Sequence, residues 1–111
     1  MPGRSNDPPL LILTSLASGP KHGYALLQDI ELFAGVTLGP GTLYGAIARL
    51  EERGLIEPVG VSDRRRPYRL TSAGQAELEA TLAELRAIVD EGSARLRLPR
   101  APRVATARGA S

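Results

Sequence analysis

Apolar residues recur with helical spacing in two segments of the first third of the chain. The first helix is predicted from residue 8 to about Ala17, because Asp7 can cap the free amides and Pro8 and Pro9 suit a first turn. A second helix is predicted over residues 22–33. The apolar residues assigned to the two helices, with Tyr24 placed in the core, are Leu10, Leu11, Ile12, Leu13, Leu16, Tyr24, Leu26, Leu27, Ile30 and Phe33.

A third helix and a hairpin are predicted next. The helix begins near Pro40 and ends at Gly54, because glycine tolerates the left-handed backbone that ends many helices. Two candidate strands follow, residues 55–59 and 68–70, and the Arg-rich residues 61–67 form the tip between them. The face of the third helix predicted to be buried is formed by Leu43, Ala46, Ile47 and Leu50.

A fourth helix is predicted from about residue 72 to Glu91, with Thr71 as its cap. Four apolar residues in it are spaced 4, 3 and 4 apart, which is the a/d pattern of two heptads. Gly92 weakens the helix, and the following prolines, small residues and scattered arginines predict a disordered tail. The predicted divisions are a flexible N-terminus (1–7), a domain of three helices and a hairpin (8–71), a long helix (72–94) and a basic tail (95–111).

Three helices followed by a hairpin with a basic tip form the order of a winged helix-turn-helix, a mainly α fold with a small β-hairpin. In that fold the third helix enters the DNA major groove and the hairpin, or wing, reaches the backbone or minor groove. Residues 8–71 are therefore predicted to form a winged helix-turn-helix DNA-binding domain. Small residues on the outer face of the third helix would let its backbone approach base edges, or would pack against another protein surface. The hydroxyls of Thr42 and Tyr44 lie near its N-terminus, a position that suits a phosphate, and Arg49 lies on its flank.

The net charge of +2 averages regions of opposite sign. Arg64, Arg65 and Arg66 stand together at the predicted tip, where Asp63 cannot neutralise all three guanidinium groups. Phosphate neutralisation or insertion into a narrow minor groove explains that placement between two strands, although a solvated turn is the usual fate of a charge run. Residues 74–91, in contrast, contain five acids and one arginine.

The residue inventory excludes several classes of protein. Without cysteine there is no disulfide framework, thiolate metal site or thiol nucleophile. His22 is the only histidine, so no metal or other cofactor is expected. The sequence also indicates no enzyme site, because no phosphate-binding loop follows a strand. The longest apolar run is far too short for a membrane span or a signal peptide, so a cytoplasmic protein is the default expectation.

Three segments resemble the PadR family of bacterial transcriptional regulators in order and spacing. Residues 16–26 read LASGPKHGYAL, residues 38–56 read LGPGTLYGAIARLEERGLI, and residues 64–74 read RRRPYRLTSAG. The resemblance implies a winged helix-turn-helix with a C-terminal dimerisation helix, and the single helix after the wing is similar to the short-chain subgroup. It also implies a homodimer that binds a palindromic operator in double-stranded DNA, usually represses transcription and commonly responds to phenolic compounds, drugs or other small hydrophobic effectors.

The resemblance implies that residues at positions matching the family's DNA contacts also bind DNA in this chain. Gly39 stands where the family often has serine, and Gly45 stands where it often has proline, so base specificity is not carried over. For His22, packing at the first turn of the second helix is an alternative to a phosphate contact. The predicted DNA-binding residues are Lys21, His22, Pro40, Gly41, Thr42, Tyr44, Arg49, Arg64, Arg65 and Arg66.

The fourth helix is predicted to form a dimer together with the first helix across a two-fold axis. The alternative is that its apolar stripe packs only on its own domain. The predicted dimerisation residues are Leu10, Leu11, Leu78, Leu82, Leu85 and Val89. The alternative function is a winged-helix protein-interaction module whose wing arginines bind an acidic partner.

Overall fold

Four helices and one antiparallel hairpin make up the part of the chain that the computed structural model describes, residues 7–60 and 66–98. This order confirms the predicted mainly helical fold with a small hairpin. Contacts divide the chain into two units, the first ending at Ala80 and the second beginning at Thr81. The elements are α1 (Pro8–Leu16), α2 (Gly23–Ala34), α3 (Pro40–Glu52), β1 (Ile56–Pro58), β2 (Tyr68–Leu70) and α4 (Ser72–Leu96).

The N-terminal cap of α1 is the one that the sequence predicts. The Asp7 carboxylate accepts a hydrogen bond from the Leu10 amide at 3.3 Å, and proline occupies the first turn, where no N–H bond is needed. Almost every residue from Leu11 onward in this helix is buried. A helix that is apolar nearly all round lies in a core, and α1 packs against α2, α3 and β2.

The core of the first unit is aliphatic and draws on every helix. Tyr24 is 64% exposed and Phe33 is 47% exposed, so the prediction that Tyr24 lies in the core is wrong. Residues six apart in a helix differ by about 120° around its axis, so a three-residue repeat cannot keep Tyr24 and Ile30 on one face. The buried core consists of Leu11, Ile12, Leu13, Leu16, Leu26, Ile30, Leu38, Leu43, Ala46, Ile47, Leu50, Leu55, Ile56 and Leu78.

The second strand of the hairpin, β2, covers the predicted residues 68–70, whereas β1 is shorter than the predicted 55–59, so each strand has three residues. Ile56 pairs with Leu70, Glu57 with Arg69, and Pro58 with Tyr68. The Arg69 Nε donates to the Glu57 carboxylate at 2.8 Å across the outer face. Such a short hairpin is not stable on its own, so its position depends on contacts with the helices.

Thr71 and Gly74 attach the start of α4 to the turn between α3 and β1. The Thr71 hydroxyl donates to the Gly54 carbonyl at 2.6 Å and accepts from the Gly74 amide at 3.0 Å. This confirms the predicted cap. A Cβ added to Gly74 would collide with the carbonyl oxygen of Leu55, so only glycine allows this close approach.

Helix α4 continues past Gly92 to Leu96, so the predicted end near Glu91 is wrong. One exposed glycine costs about 1 kcal/mol relative to alanine, which is too little to end a long helix. Arg95 Nε donates to Glu91 at 2.7 Å across one helical turn, and Arg97 ends the helix with a left-handed backbone, φ 61°. Within residues 7–60 and 66–98, no helix is both long enough and apolar enough to span a membrane.

Candidate nucleic-acid interface

Helix α3 has one buried face and one exposed face, as its sequence predicts. The buried face consists of Leu43, Ala46, Ile47 and Leu50. Gly45 is only half-buried, and a Cβ added to it would lie 3.6 Å from the Arg49 Nη1. The Arg49 side chain therefore folds back along the helix over Gly45. The exposed residues of this helix include Pro40, Gly41, Thr42, Tyr44, Ala48 and Arg49.

The N-terminus of α3 is open and carries no negative charge. Gly39 is the cap residue, in an extended conformation, and it has no side chain to bond the first amides. No acidic residue stands in the first turn; the acids of this helix, Glu51 and Glu52, lie at its other end. Free amides and the positive end of the helix dipole favour an anion here.

Tyr44 connects the N-termini of α2 and α3. Its hydroxyl packs against Gly23, the first residue of α2, and a Cβ built on Gly23 would lie 2.7 Å from the Tyr44 Cζ. The Tyr44 side chain nevertheless remains 52% exposed. The starts of the two helices therefore form one continuous surface, with the Tyr44 ring across the junction.

We expect Gly23→Ala to destabilise the protein by about 1–2 kcal/mol, because the new methyl displaces the Tyr44 ring. Gly41→Ala is the matched control, since a Cβ at Gly41 meets no atom within 4 Å. Urea unfolding measures both changes. In a double-mutant cycle with Tyr44→Ala, the cost of Gly23→Ala should disappear; an equal cost in both backgrounds contradicts the contact.

At the start of α2, Lys21 and His22 lie in different environments. His22 is the cap residue; it is half-buried and its side chain makes no capping hydrogen bond. The Lys21 side chain is only 19% exposed, and its ammonium bonds the Ser15 carbonyl and the Ser18 hydroxyl. The Lys21 ammonium, which the sequence predicts to contact a DNA phosphate, is thus hydrogen-bonded within its own chain.

The wing is described on both strands but not across its whole tip. Arg64 and Arg65 lie outside the described residues, whereas Arg66 is half-buried beside Pro67. Arg69 lies on the exposed face of β2, paired with Glu57.

Tyr24 exposes a hydroxyl in the first turn of α2, although the sequence pattern assigns this residue to the core. It is the second residue of α2, exposed, and its oxygen accepts a hydrogen bond from the Gln28 Nε2 at 3.4 Å. A strict 3.6-residue phase anchored on Leu26 and Ile30 would have placed it outside.

The apolar stripe of α4 forms a second exposed surface. Leu78 is buried in the core of its own unit, but Leu82 and Leu85 are 46% and 41% exposed. In α1, Leu11 also lies in the core, and Leu10 is partly buried against it. The other exposed large hydrophobic residues of the helix are Ile88, Val89 and Leu96, and Ile88 and Leu96 are not among the predicted dimerisation residues.

Residues 12–80 match the family model described as the transcriptional regulator PadR-like family. The chain is 51% identical over 76 residues to an uncharacterized protein in a transposon of Streptomyces fradiae, a match that covers 68% of this chain and 22% of that protein. It is 43% identical over 72 residues to a transcriptional regulator of Mycobacterium tuberculosis, covering 62% and 66%. The chain therefore spans about a fifth and about two thirds of the lengths of these relatives.

The fold is also similar to solved structures. A crystal structure of a PadR family transcription regulator from Clostridium difficile superimposes with a TM-score of 0.68 at 25% identity. The match covers 79% of this chain and 95% of that one.

Proposed function

The chain belongs to the PadR-like family of transcriptional regulators, and we propose that it binds a palindromic operator in double-stranded DNA as a homodimer. One subunit would read one half-site by placing α3 in the major groove. We further propose that it represses transcription and acts in the cytoplasm of a bacterial cell. Relief of repression by a small hydrophobic effector stays a prediction of the family resemblance.

The observation that carries the proposal is the exposed, open N-terminal half of α3. Its residues are small or bear a hydroxyl, its first turn holds no acid, and Gly39 leaves its amides uncapped. A helix-turn-helix protein contacts bases through the N-terminal residues of its recognition helix. The acids Glu51 and Glu52 stand at the opposite end, where phosphate repulsion would keep the helix C-terminus out of the groove.

Hydroxyl groups near the N-terminus of α3 also support an orientation in which this end of the helix faces the DNA. The Tyr44 hydroxyl lies at the junction of α2 and α3, and Tyr24 exposes a second hydroxyl in the first turn of α2. Hydroxyls and helix N-termini commonly bond phosphate oxygens and so fix the register of a protein on the duplex. Arg49, folded over Gly45, supplies a guanidinium on the flank of the same helix.

Selection from a random pool of DNA duplexes tests the proposal directly. We expect enrichment of a palindrome whose two half-site centres are about 10 base pairs apart, or a multiple of one helical turn. Footprinting on the DNA upstream of the protein's own gene provides a second source of sites. Failure to enrich any sequence, with binding no tighter than to random duplex, would contradict sequence-specific recognition.

The wing arginines give the second test. Replacing Arg64, Arg65 and Arg66 by alanine should lower affinity for the selected duplex and flatten the log–log salt dependence by up to about 2.7 units, about 0.9 for each phosphate that is no longer neutralised. The matched control replaces Arg86 and Arg95 on α4 and Arg97 directly after it, which removes the same charge outside the wing. Fluorescence anisotropy over a series of salt concentrations measures both triple variants.

An unchanged salt dependence in the wing variant would favour the alternative, a protein-interaction module that binds an acidic partner. If both triple variants flatten the slope equally, net charge rather than the wing would account for the binding.

Support for the dimer comes from the exposed apolar residues on α4. Leu82, Leu85 and Val89 follow an a/d spacing that the observed length of the helix extends through Gly92 to Leu96. Ile88 lies beside this stripe. Exposed apolar stripes of this kind mark protein contacts. Because Leu11 and Leu78 are already buried in their own chain, the distal part of α4 is the main candidate for the contact.

A further inference from the structure

The ammonium of Lys21 is held by the end of α1. Its Nζ donates to the Ser15 carbonyl at 2.5 Å and to the Ser18 hydroxyl at 2.8 Å, and the Gly19 carbonyl lies at 3.5 Å. The Ser15 carbonyl belongs to the last turn of α1 and the other two oxygens directly follow the helix, so the ammonium lies at the negative end of the helix dipole, where a cation is stabilising. The three N–H donors of the ammonium thus face three acceptors within the protein.

A carboxylate and a buried hydroxyl complete the surroundings of this ammonium. Asp29 Oδ2, on α2, lies 4.0 Å from the Lys21 Nζ and accepts a hydrogen bond of 2.6 Å from the Ser15 hydroxyl. Ser15 is 1% exposed and is the buried polar residue of the core region. The network therefore joins α1 and α2, because both Lys21 and Asp29 bond Ser15 of α1 and the two charged groups lie beside each other, partly buried.

The main chain of Lys21 binds the wing at the same time. Its amide donates to the Tyr68 carbonyl at 3.1 Å, and its carbonyl accepts from the Tyr68 amide at 2.9 Å. Tyr68 is the first residue of β2, directly after the hairpin tip. One residue thus connects the wing to the helix-turn-helix: its side chain holds α1 and α2 while its backbone holds β2.

We propose that Lys21 is a positioning residue that holds the wing in the orientation required for DNA binding, and that it does not contact a phosphate itself. The proposal rests on the proposed function and replaces the role that the sequence predicted for Lys21. A compact ammonium fits between two carbonyls, a hydroxyl and a carboxylate, whereas the larger planar guanidinium of arginine does not have the same geometry.

A positioning role and a phosphate contact predict different salt dependences. If Lys21 holds the wing, its removal lowers the fraction of molecules that are competent to bind, and the measured Kd rises by the inverse of that fraction. The bound complex keeps the same phosphate contacts, so the log–log slope with salt stays unchanged. If Lys21 neutralises a phosphate, its removal flattens the slope by about 0.9.

The experiment compares Lys21→Met, Lys21→Arg and Asp29→Asn with the wild-type protein on the selected duplex over a series of salt concentrations. We expect each variant to bind more weakly, with Lys21→Met weaker by about tenfold if the competent fraction falls to about one tenth. The slope should not change. Asp29→Asn is decisive, because removing a negative charge would strengthen DNA binding by electrostatics alone, whereas loss of wing positioning weakens it.

Amide hydrogen exchange provides a readout that does not need DNA. In Lys21→Met and Asp29→Asn, the amides of Lys21 and Tyr68 should exchange faster than in the wild type, while the amide of Ile47 in the core of α3 should not. If the wild type fails to bind DNA, the proposed function fails, and exchange still tests the link to the wing. Unchanged exchange, a flattened slope in Lys21→Met, full rescue by Lys21→Arg, or tighter binding by Asp29→Asn would each overturn the positioning role.

Discussion

The double variant Leu85→Glu/Val89→Glu is expected to remain folded but to be monomeric. Its affinity for the palindrome should fall at least about a hundredfold. Both side chains are exposed on the apolar stripe of α4, so they make little contribution to the core of their own chain. In a dimer, the second half-site is bound at high effective concentration, which commonly adds a factor of about 10² to 10⁴ to the affinity. A monomer loses that factor.

The matched control is the double variant Ala83→Glu/Ala87→Glu. These two residues have the same spacing and are also exposed, but they lie about 200° around the helix from Leu85 and Val89. Light scattering after size exclusion should give a dimer for the wild type and the control, and a monomer for the stripe variant. A wild-type monomer at micromolar concentration, or a stripe variant that remains dimeric, would contradict a dimer formed by α4.

Gly74→Ala is expected to destabilise the fold by about 3 kcal/mol, near the upper end of the usual cost of overpacking. The added methyl would collide with the Leu55 carbonyl oxygen and lie 2.9 Å from the carbonyl carbon and 3.2 Å from the Leu70 Cδ2. The obstacle is backbone fixed by the hydrogen bond from the Thr71 amide to Leu55, so no side-chain rotation removes the clash. A destabilisation of this size is a large part of the total stability of a small domain.

Gly92→Ala is the control for Gly74→Ala, because it makes the same change in the same helix. A Cβ at Gly92 meets no atom within 4 Å, and alanine is favoured over glycine in a helix by about 1 kcal/mol. Chemical unfolding at one protein concentration should therefore shift in opposite directions for the two variants. Equal midpoints for Gly74→Ala and the wild type would show that the start of α4 does not depend on this close approach.

Local signals in the sequence predict much of this fold. Asp7 caps α1 and Thr71 caps α4 as expected, because a capping bond needs only residues within one turn. The buried face of α3 also follows from its own spacing. Tyr24 shows the limit of such local patterns, since a repeat of three drifts around a helix whose period is 3.6.

The surroundings of Lys21 and Tyr44 could not be predicted in the same way. Both depend on contacts between elements: Lys21 reaches Ser15 on α1 and Asp29 on α2, and Tyr44 reaches Gly23 across the junction of α2 and α3. A pattern along the chain indicates which face of a helix is buried. It does not indicate whether a cation at a helix start bonds a neighbouring helix end or remains available to a ligand.

The bridge between Lys21 and Tyr68 also has a consequence for folding order. These residues are far apart in the chain, so the bridge closes a long loop, and closing that loop costs entropy before any contact repays it. A hairpin with three residues per strand cannot form stably in advance. We therefore expect β1 and β2 to pair only after α1 and α2 have packed, and to open at a lower free energy than the helices that support them.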